Sequence, residues 1–164
     1  DTDLPEVMAL RGTCLPADGP RQHRAELDLR EPGWWQRLGL PSGPAHKPVF
    51  VLCEGVLMYL SPAQVQAVLA EFAEQAPPGS RMVLDTMSQV GRGMARLHPT
   101  VGPTGAQFQW CPASSSELTR PHPRLRLLQT RSVSECYGWL GTVTEACWMP
   151  WTGTPMYAMV TLGV

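Results

Sequence analysis

Residues 48–86 read PVFVLCEGVLMYLSPAQVQAVLAEFAEQAPPGSRMVLDT, and this stretch decides the fold. It begins with the uninterrupted apolar run Pro48 to Cys53, which is typical of a strand buried on both faces of a parallel sheet. Arg81 to Thr86 has the same character and predicts a second buried strand. A strand, a helix and a strand in this order predict a right-handed crossover between parallel neighbours.

The segment between these two strands has the start signal, the periodicity and the stop signal of a helix. Ser61 can cap the N-terminus, and Pro62 can occupy the first helical position. Apolar residues then recur at helical spacing, at Val65, Val68, Leu69 and Phe72. The run Pro77 to Gly79 ends the pattern, so the sequence predicts a helix of about fifteen residues.

The chain before this stretch predicts shorter elements. Pro5 opens a short helix after an extended segment, because proline is favoured in the first turn of a helix. The partly alternating run His23 to Glu31 indicates a short strand and a loop. Trp34, Trp35 and Leu38 indicate a helical turn.

The chain after this stretch predicts two more strands, Leu125 to Val133 and Met156 to Val164. No helix is evident in the tryptophan-rich stretch between them, which favours an antiparallel pairing. Residues 88–123 are rich in glycine, proline and serine and too long for a simple connector, which favours a lid or substrate loop. The fold class is therefore α/β, mostly parallel, with a C-terminal antiparallel hairpin.

Length and charge exclude several classes of function. The chain has 164 residues, which suits one domain, and its 13 basic and 14 acidic residues give a net charge of −1. This balance disfavours general binding to nucleic acid. The longest apolar run is too short to span a membrane, and no secretory signal opens the chain. The 5 scattered cysteines favour a reducing cytoplasm, and the 4 histidines lack the spacing of a metal site.

Acidic residues follow several of the predicted strands. They are Asp3, Asp28, Glu54 and, as a weaker case, Asp85. Ligands of open α/β sheets bind outside the carboxyl ends of the strands. One carboxylate can accept hydrogen bonds from both ribose hydroxyls, and another can accept from the adenine amine. Asp3 and Asp28 suit those roles, although turns and helix caps also use aspartate.

Glu54 directly follows the most apolar strand, where an ionised carboxylate needs a partner if it is buried. A ligand ammonium is one candidate, and a structural arginine or backbone amides are the other. The sequence has no G-x-S-x-G elbow and no phosphate-binding glycine loop. It therefore gives little support to a hydrolase or to nucleoside triphosphate chemistry.

Four segments, in this order, resemble class I S-adenosylmethionine-dependent methyltransferases: DTDLPEVMALR, AELDLREPGWW, CEGVLMYLSPAQV and SRMVLDT. The likeness is to the leucine carboxyl methyltransferase superfamily and, within it, to the tetracenomycin-type polyketide O-methyltransferases. Glu54 to Leu60 carries the most specific signal, and Asp3 to Glu6 the next. The resemblance covers most of residues 1–86 and implies a Rossmann-like methyltransferase sheet.

The resemblance implies a cofactor, S-adenosyl-L-methionine, and residues that contact it. Asp3 would contact the ribose, Asp28 and the backbone of Leu29 the adenine, and Glu54 the methionine end. The acceptor would be a small molecule with a hydroxyl or carboxylate, and a protein carboxyl terminus is a further alternative. No catalytic residue is assigned, and His98 is only a candidate base.

The family's first strand and its glycine-rich loop have no counterpart in this sequence. The expectation is therefore that residues 1–164 form the C-terminal part of a single methyltransferase domain. An alternative is a non-catalytic remnant, or a subunit that needs a partner chain to complete its sheet. An unrelated α/β binding module is a third interpretation.

Overall fold

A computed structural model describes residues 1–15, 19–92 and 101–164 of the chain. It divides into two compact units, Asp1–Leu40 and Pro41–Val164.

The first unit contains two short strands and two helices. In chain order they are β1 (Thr2–Asp3), α1 (Pro5–Cys14), β2 (Ala25–Glu26) and α2 (Trp34–Arg37). The two strands pair in parallel. Pro5 occupies the first turn of α1, as the sequence predicts. The strand near residue 25 and the helical turn at Trp34 are likewise confirmed.

The second unit contains a four-stranded sheet. Its elements are β3 (Phe50–Cys53), α3 (Pro62–Gln75), β4 (Arg81–Met87), α4 (Gln89–Arg92), α5 (Ser116–Thr119), β5 (Arg126–Ser132), α6 (Gly138–Thr152) and β6 (Tyr157–Gly163). The strand order is β3-β4-β6-β5. The strands β3 and β4 are parallel, which confirms the predicted strand-helix-strand crossover. The strand β6 runs antiparallel to both β4 and β5.

The helix α3 begins at the residue that the sequence predicts. Ser61 and Gln64 form a reciprocal capping box: the Gln64 N–H donates to Ser61 Oγ at 3.3 Å, and the Ser61 N–H donates to Gln64 Oε1 at 2.8 Å. Pro62 lies at the first helical position. The helix ends where Pro77 and Pro78 follow, because neither can continue it. Its predicted apolar stripe, Val65, Val68, Leu69 and Phe72, is buried.

The prediction that β3 is buried on both faces is wrong. Val51 and Cys53 share the side of the sheet on which β4 is buried, and Cys53 itself is buried. Phe50 and Leu52 lie on the other side and are 64% and 59% exposed. Among the described residues β3 pairs only with β4, so it forms an edge of the sheet rather than its centre.

The antiparallel pairing of the last two strands is confirmed, but they do not form a simple hairpin. The helix α6 connects them, contrary to the expectation from the sequence. A helix is recognised from a buried apolar stripe. The two buried residues of α6 are Gly141 and Glu145, whereas Trp139 and Trp151 are 79% and 89% exposed. Apolar residues do recur at helical spacing in α6, at Leu140, Val143, Cys147 and Trp151, but all four are exposed, so they form no buried stripe.

No helix within the described ranges has the length and apolar character needed to cross a bilayer.

Candidate functional site

The carboxyl ends of β1 and β2 bring the first two predicted site residues to one edge. The Leu27 N–H donates to the Asp3 carbonyl at 2.9 Å, which continues the parallel pairing past β2. Asp28 is the next residue. The first unit therefore places the Asp3 and Asp28 backbones at the same end of a parallel pair, where α/β folds bind ligands.

The Asp3 side chain is exposed and has capacity for further hydrogen bonds. Its Oδ1 accepts from the Leu4 N–H at 2.8 Å. That contact fixes the carboxylate at the start of α1. A carboxylate has about four acceptor positions, so most of them remain available to a pair of hydroxyls.

Asp28 is already paired with a neighbouring arginine. The Arg30 guanidinium donates to both carboxylate oxygens, at 2.9 Å from Nε and 2.5 Å from Nη2. These hydrogen bonds, together with the Arg30 backbone N–H, hold the pKa of the Asp28 carboxyl below its usual value. The carboxylate is therefore ionised at neutral pH and remains an acceptor.

Leu29 supplies a donor beside that acceptor. Its backbone N–H makes no hydrogen bond to any described residue, because the chain turns there after β2. An acceptor carboxylate beside a free N–H matches the adjacent amine and ring nitrogen of an adenine edge.

Glu54 lies in the second unit, immediately after β3. Its side chain is exposed and forms no hydrogen bond or ion pair with a described residue. The alternatives from the sequence are a ligand ammonium on one side and a structural arginine or backbone amides on the other. No arginine side chain or backbone amide that the structure describes pairs with it, so within the described part of the chain its carboxylate is available to a ligand.

Asp85 is the weakest of the four acids by sequence, yet it is the one that the fold buries completely. Its Oδ1 accepts from the Gly55 N–H at 3.0 Å, and its Oδ2 accepts from the Tyr157 hydroxyl at 2.5 Å. The only sign in the sequence that Asp85 is a site residue is its position near the end of a predicted strand. The partners are 30 and 72 positions away, so local pattern does not reveal them.

An apolar cluster adjoins these residues. Its buried members are Met58, Phe108 and Cys111, and Tyr59, Met87, Val101 and Tyr157 pack against it. The rings of Tyr59 and Phe108 are tilted with centroids 5.6 Å apart. Tyr157 therefore contacts both the Asp85 carboxylate, through its hydroxyl, and this apolar cluster.

A cavity of about 240 Å³ lies between α3 and the described part of the segment 88–123. Val65, Trp110, Glu117 and Arg120 are among its lining residues. Pockets for drug-sized ligands usually measure about 300–1,000 Å³, so this cavity is small for a polyketide-like acceptor.

Two further candidates are a general base and a metal ion. His98 lies outside the described residues. No three histidine, cysteine, aspartate or glutamate side chains within the described ranges form a group that could hold a metal ion.

Comparison with known proteins confirms the resemblance seen in the sequence. The family model "Leucine carboxyl methyltransferase" matches residues 1–73. The tetracenomycin polyketide synthesis O-methyltransferase TcmP of Streptomyces glaucescens is 28% identical over 134 residues, which is 81% of this chain and 47% of that protein. A protein of Parafrankia sp. (strain EAN1pec), named as an S-adenosyl-L-methionine-dependent methyltransferase, is 28% identical over 109 residues, 64% of this chain and 35% of its own length.

Solved structures confirm the fold class. An S-adenosylmethionine-dependent methyltransferase from Mesorhizobium loti aligns with 99% of this chain and 78% of its own, with a TM-score of 0.61 and 14% identity. Human N-acetylserotonin methyltransferase in complex with S-adenosylmethionine aligns with 99% of this chain and 39% of its own, with a TM-score of 0.54 and 12% identity.

The fold is therefore that of the class I S-adenosylmethionine-dependent methyltransferases. The sequence is similar to the leucine carboxyl methyltransferase family over residues 1–73 and to the two curated methyltransferases. It spans between about a third and a half of the length of the two curated relatives.

Proposed function

We propose that this chain carries part of the cofactor site of an S-adenosylmethionine-dependent O-methyltransferase that acts on a small, polyketide-like molecule. The observation that carries the proposal is Glu54, an exposed carboxylate without a described partner at the carboxyl end of β3. It lies in the part of the sequence that matches the family model.

The nucleoside end of the cofactor would be bound by the first unit. Asp3 would accept hydrogen bonds from the ribose hydroxyls through its remaining acceptor positions. Asp28 would accept from the adenine amine while the Leu29 N–H donates to the adjacent ring nitrogen. This assignment is supported by the free N–H of Leu29 and by the ionised state of Asp28.

The methionine end would be bound through Glu54. Its carboxylate would form an ion pair with the ammonium group and accept hydrogen bonds from it. Because Glu54 is exposed, its charge costs little before the ligand binds.

S-adenosylmethionine, when bound, supplies a methyl group on a positively charged sulfur. The residues of the chain would bind and orient this cofactor, and alignment with an acceptor oxygen lowers the barrier without a covalent enzyme intermediate. An acceptor carboxylate needs no general base, whereas a hydroxyl benefits from one. This chemistry explains why the sequence has no nucleophile elbow. The segment 88–123 would be a lid or substrate loop.

The experiment is calorimetric titration of the 164-residue chain with S-adenosylhomocysteine. We expect saturable binding that Glu54→Ala and Asp3→Ala each weaken by about tenfold, the loss of one charged hydrogen-bonding partner. Glu74→Ala is the matched control, since Glu74 is also an exposed glutamate but lies on α3. Equal affinity in the wild type and Glu54→Ala would refute the assignment of Glu54, and no binding by the folded chain would refute the proposed site.

A second candidate is a subunit whose sheet is completed by another polypeptide. The observation in its favour is the apolar outer strand β3, with Phe50 and Leu52 exposed beside a ladder edge that pairs with no described residue. Sedimentation velocity separates the two candidates. A monomer that binds the cofactor unaided refutes the second one.

A further inference from the structure

One carboxylate of β4 connects the residues just after β3 to the first residue of β6 in the second unit. Asp85 lies in β4 with no exposed surface. It accepts one hydrogen bond from the Gly55 backbone, just past β3, and one from Tyr157, the first residue of β6. Each oxygen therefore has a donor from a different strand end.

The contact with Gly55 fixes the backbone next to Glu54. Gly55 has a φ of +68°, a conformation that favours glycine. The turn directs the chain from β3 into the short helical turn Leu57–Tyr59. Because the Gly55 N–H is held by a buried group, the peptide that joins Glu54 to Gly55 has a defined orientation although the Glu54 side chain is exposed.

The charge of Asp85 has no cationic counterpart in the described structure. No arginine, lysine or histidine side chain that the structure describes, which leaves out residues 91–100, forms an ion pair with it. Two hydrogen bonds stabilise the carboxylate, no described cationic side chain lies against it, and the field of a buried charge is poorly screened. Among the described side chains, Asp85 and the exposed carboxylate of Glu54 therefore give the carboxyl ends of β3 and β4 a negative potential.

Neighbouring groups respond to this potential. Burial, followed by the negative charge of Asp85, raises the pKa of the Cys53 thiol to about 12. Burial also raises the pKa of the Tyr157 hydroxyl, and Asp85 and Glu54 raise it further. The two carboxylates thus act on the same hydroxyl group, so their fields overlap.

We propose that Asp85 is a positioning residue that orients the Glu54–Gly55 turn and, together with Glu54, makes this end of the sheet bind a cationic ligand in preference to a neutral ligand of the same shape. This inference rests on the proposed function. S-adenosylmethionine carries a positive sulfonium, whereas S-adenosylhomocysteine has a neutral sulfur in its place. The ratio of their dissociation constants measures the preference.

The experiment measures both dissociation constants by calorimetry for the wild-type chain, Asp85→Asn and Glu54→Gln. Asp85→Asn keeps the shape and removes the charge. We expect it to reduce the preference for S-adenosylmethionine by about tenfold or more, because at an effective dielectric constant of about 20 the attraction between opposite unit charges less than about 12 Å apart corresponds to at least a tenfold change. A purely structural role would change both affinities equally and leave the ratio unchanged.

Glu54→Gln keeps the proposal testable if Asp85→Asn does not fold, since an exposed side chain tolerates this change. We expect the ratio to fall in this variant as well, and to stay at the wild-type value in the control Glu74→Gln. Unchanged ratios in the folded variants would overturn this inference and leave the proposed function standing. Failure of the wild-type chain to bind either compound would refute both.

Discussion

Replacing Arg124 with alanine should destabilise the second unit by about 2–3 kcal/mol. The Arg124 guanidinium donates to the carbonyl oxygens of Ala73, Glu74 and Ala76, at 2.7, 3.3 and 3.0 Å. These carbonyls belong to the last turn of α3 and its C-cap, where no intrahelical donor reaches them. The arginine precedes β5, so it links the end of α3 to the last part of the sheet.

The magnitude follows from these contacts. A hydrogen bond to a charged group contributes about 1.5–3 kcal/mol, and a cation at a helix C-terminus adds about 0.3–1 kcal/mol. The three hydrogen bonds come from one side chain, and the bond to the Glu74 carbonyl is long at 3.3 Å. In the alanine variant, water replaces part of the hydrogen bonding that the carbonyls lose. These corrections bring the expected loss to about 2–3 kcal/mol.

Urea unfolding followed by circular dichroism measures this loss. Arg124→Lys should recover part of it, because an ammonium keeps the charge but not the fork of donors. Arg126→Ala is the matched control, an exposed arginine in β5 that should change the free energy of unfolding by less than about 0.5 kcal/mol. A loss for Arg124→Ala as small as that of the control would refute the reasoning.

Three further results are expected. Ser61→Ala removes the capping box of α3 and should cost about 1 kcal/mol in urea unfolding, and an unchanged midpoint would contradict the cap. At pH 8, iodoacetamide should modify Cys136 rapidly and Cys53 slowly, since burial raises the pKa of Cys53 to about 12, and equal rates would contradict its burial. Arg30 lowers the pKa of the Asp28 carboxyl, so the stabilisation from this ion pair is present above the ordinary carboxyl pKa and is lost as the pH falls through the lowered value. In an NMR titration, Arg30→Ala should raise the pKa of Asp28, and no rise would contradict the pairing.

The sequence predicts the elements whose signals are local. The helix α3 is specified by Ser61, Pro62 and a stripe that repeats every three to four residues, and all of these act within one segment. The parallel pairing of β3 and β4 follows from the helix that connects them. Elements of this kind can be predicted without knowing how the rest of the chain packs.

Two features depend on distant neighbours and are predicted poorly. Phe50 and Leu52 have the composition of a central strand, but their exposure depends on which elements cover that face. The helix α6 contains Pro150, a residue that usually ends a helix, and its apolar residues are exposed rather than buried. Both errors arise because an apolar residue indicates that burial is favourable without showing what covers it.

The candidate site also combines features that local sequence predicts with features that depend on distant residues. The positions of Asp3, Asp28 and Glu54 after their strands follow from the sequence pattern. Whether each carboxylate is free or paired depends on side-chain geometry, as the contact between Asp28 and Arg30 shows. Asp85 was the hardest to predict, because its role depends on a tyrosine 72 positions along the chain.

The position of β6 has a consequence for the rate of folding. It is the last described strand, yet it lies between β4 and β5, which meet only through it. The sheet therefore cannot close until a segment far along the chain enters between two strands that precede it. Contacts of such long sequence separation form slowly, and an unpaired edge of β4 is open to intermolecular pairing until then. Refolding should therefore be slow and its yield should fall as protein concentration rises, since association between chains competes with this final insertion.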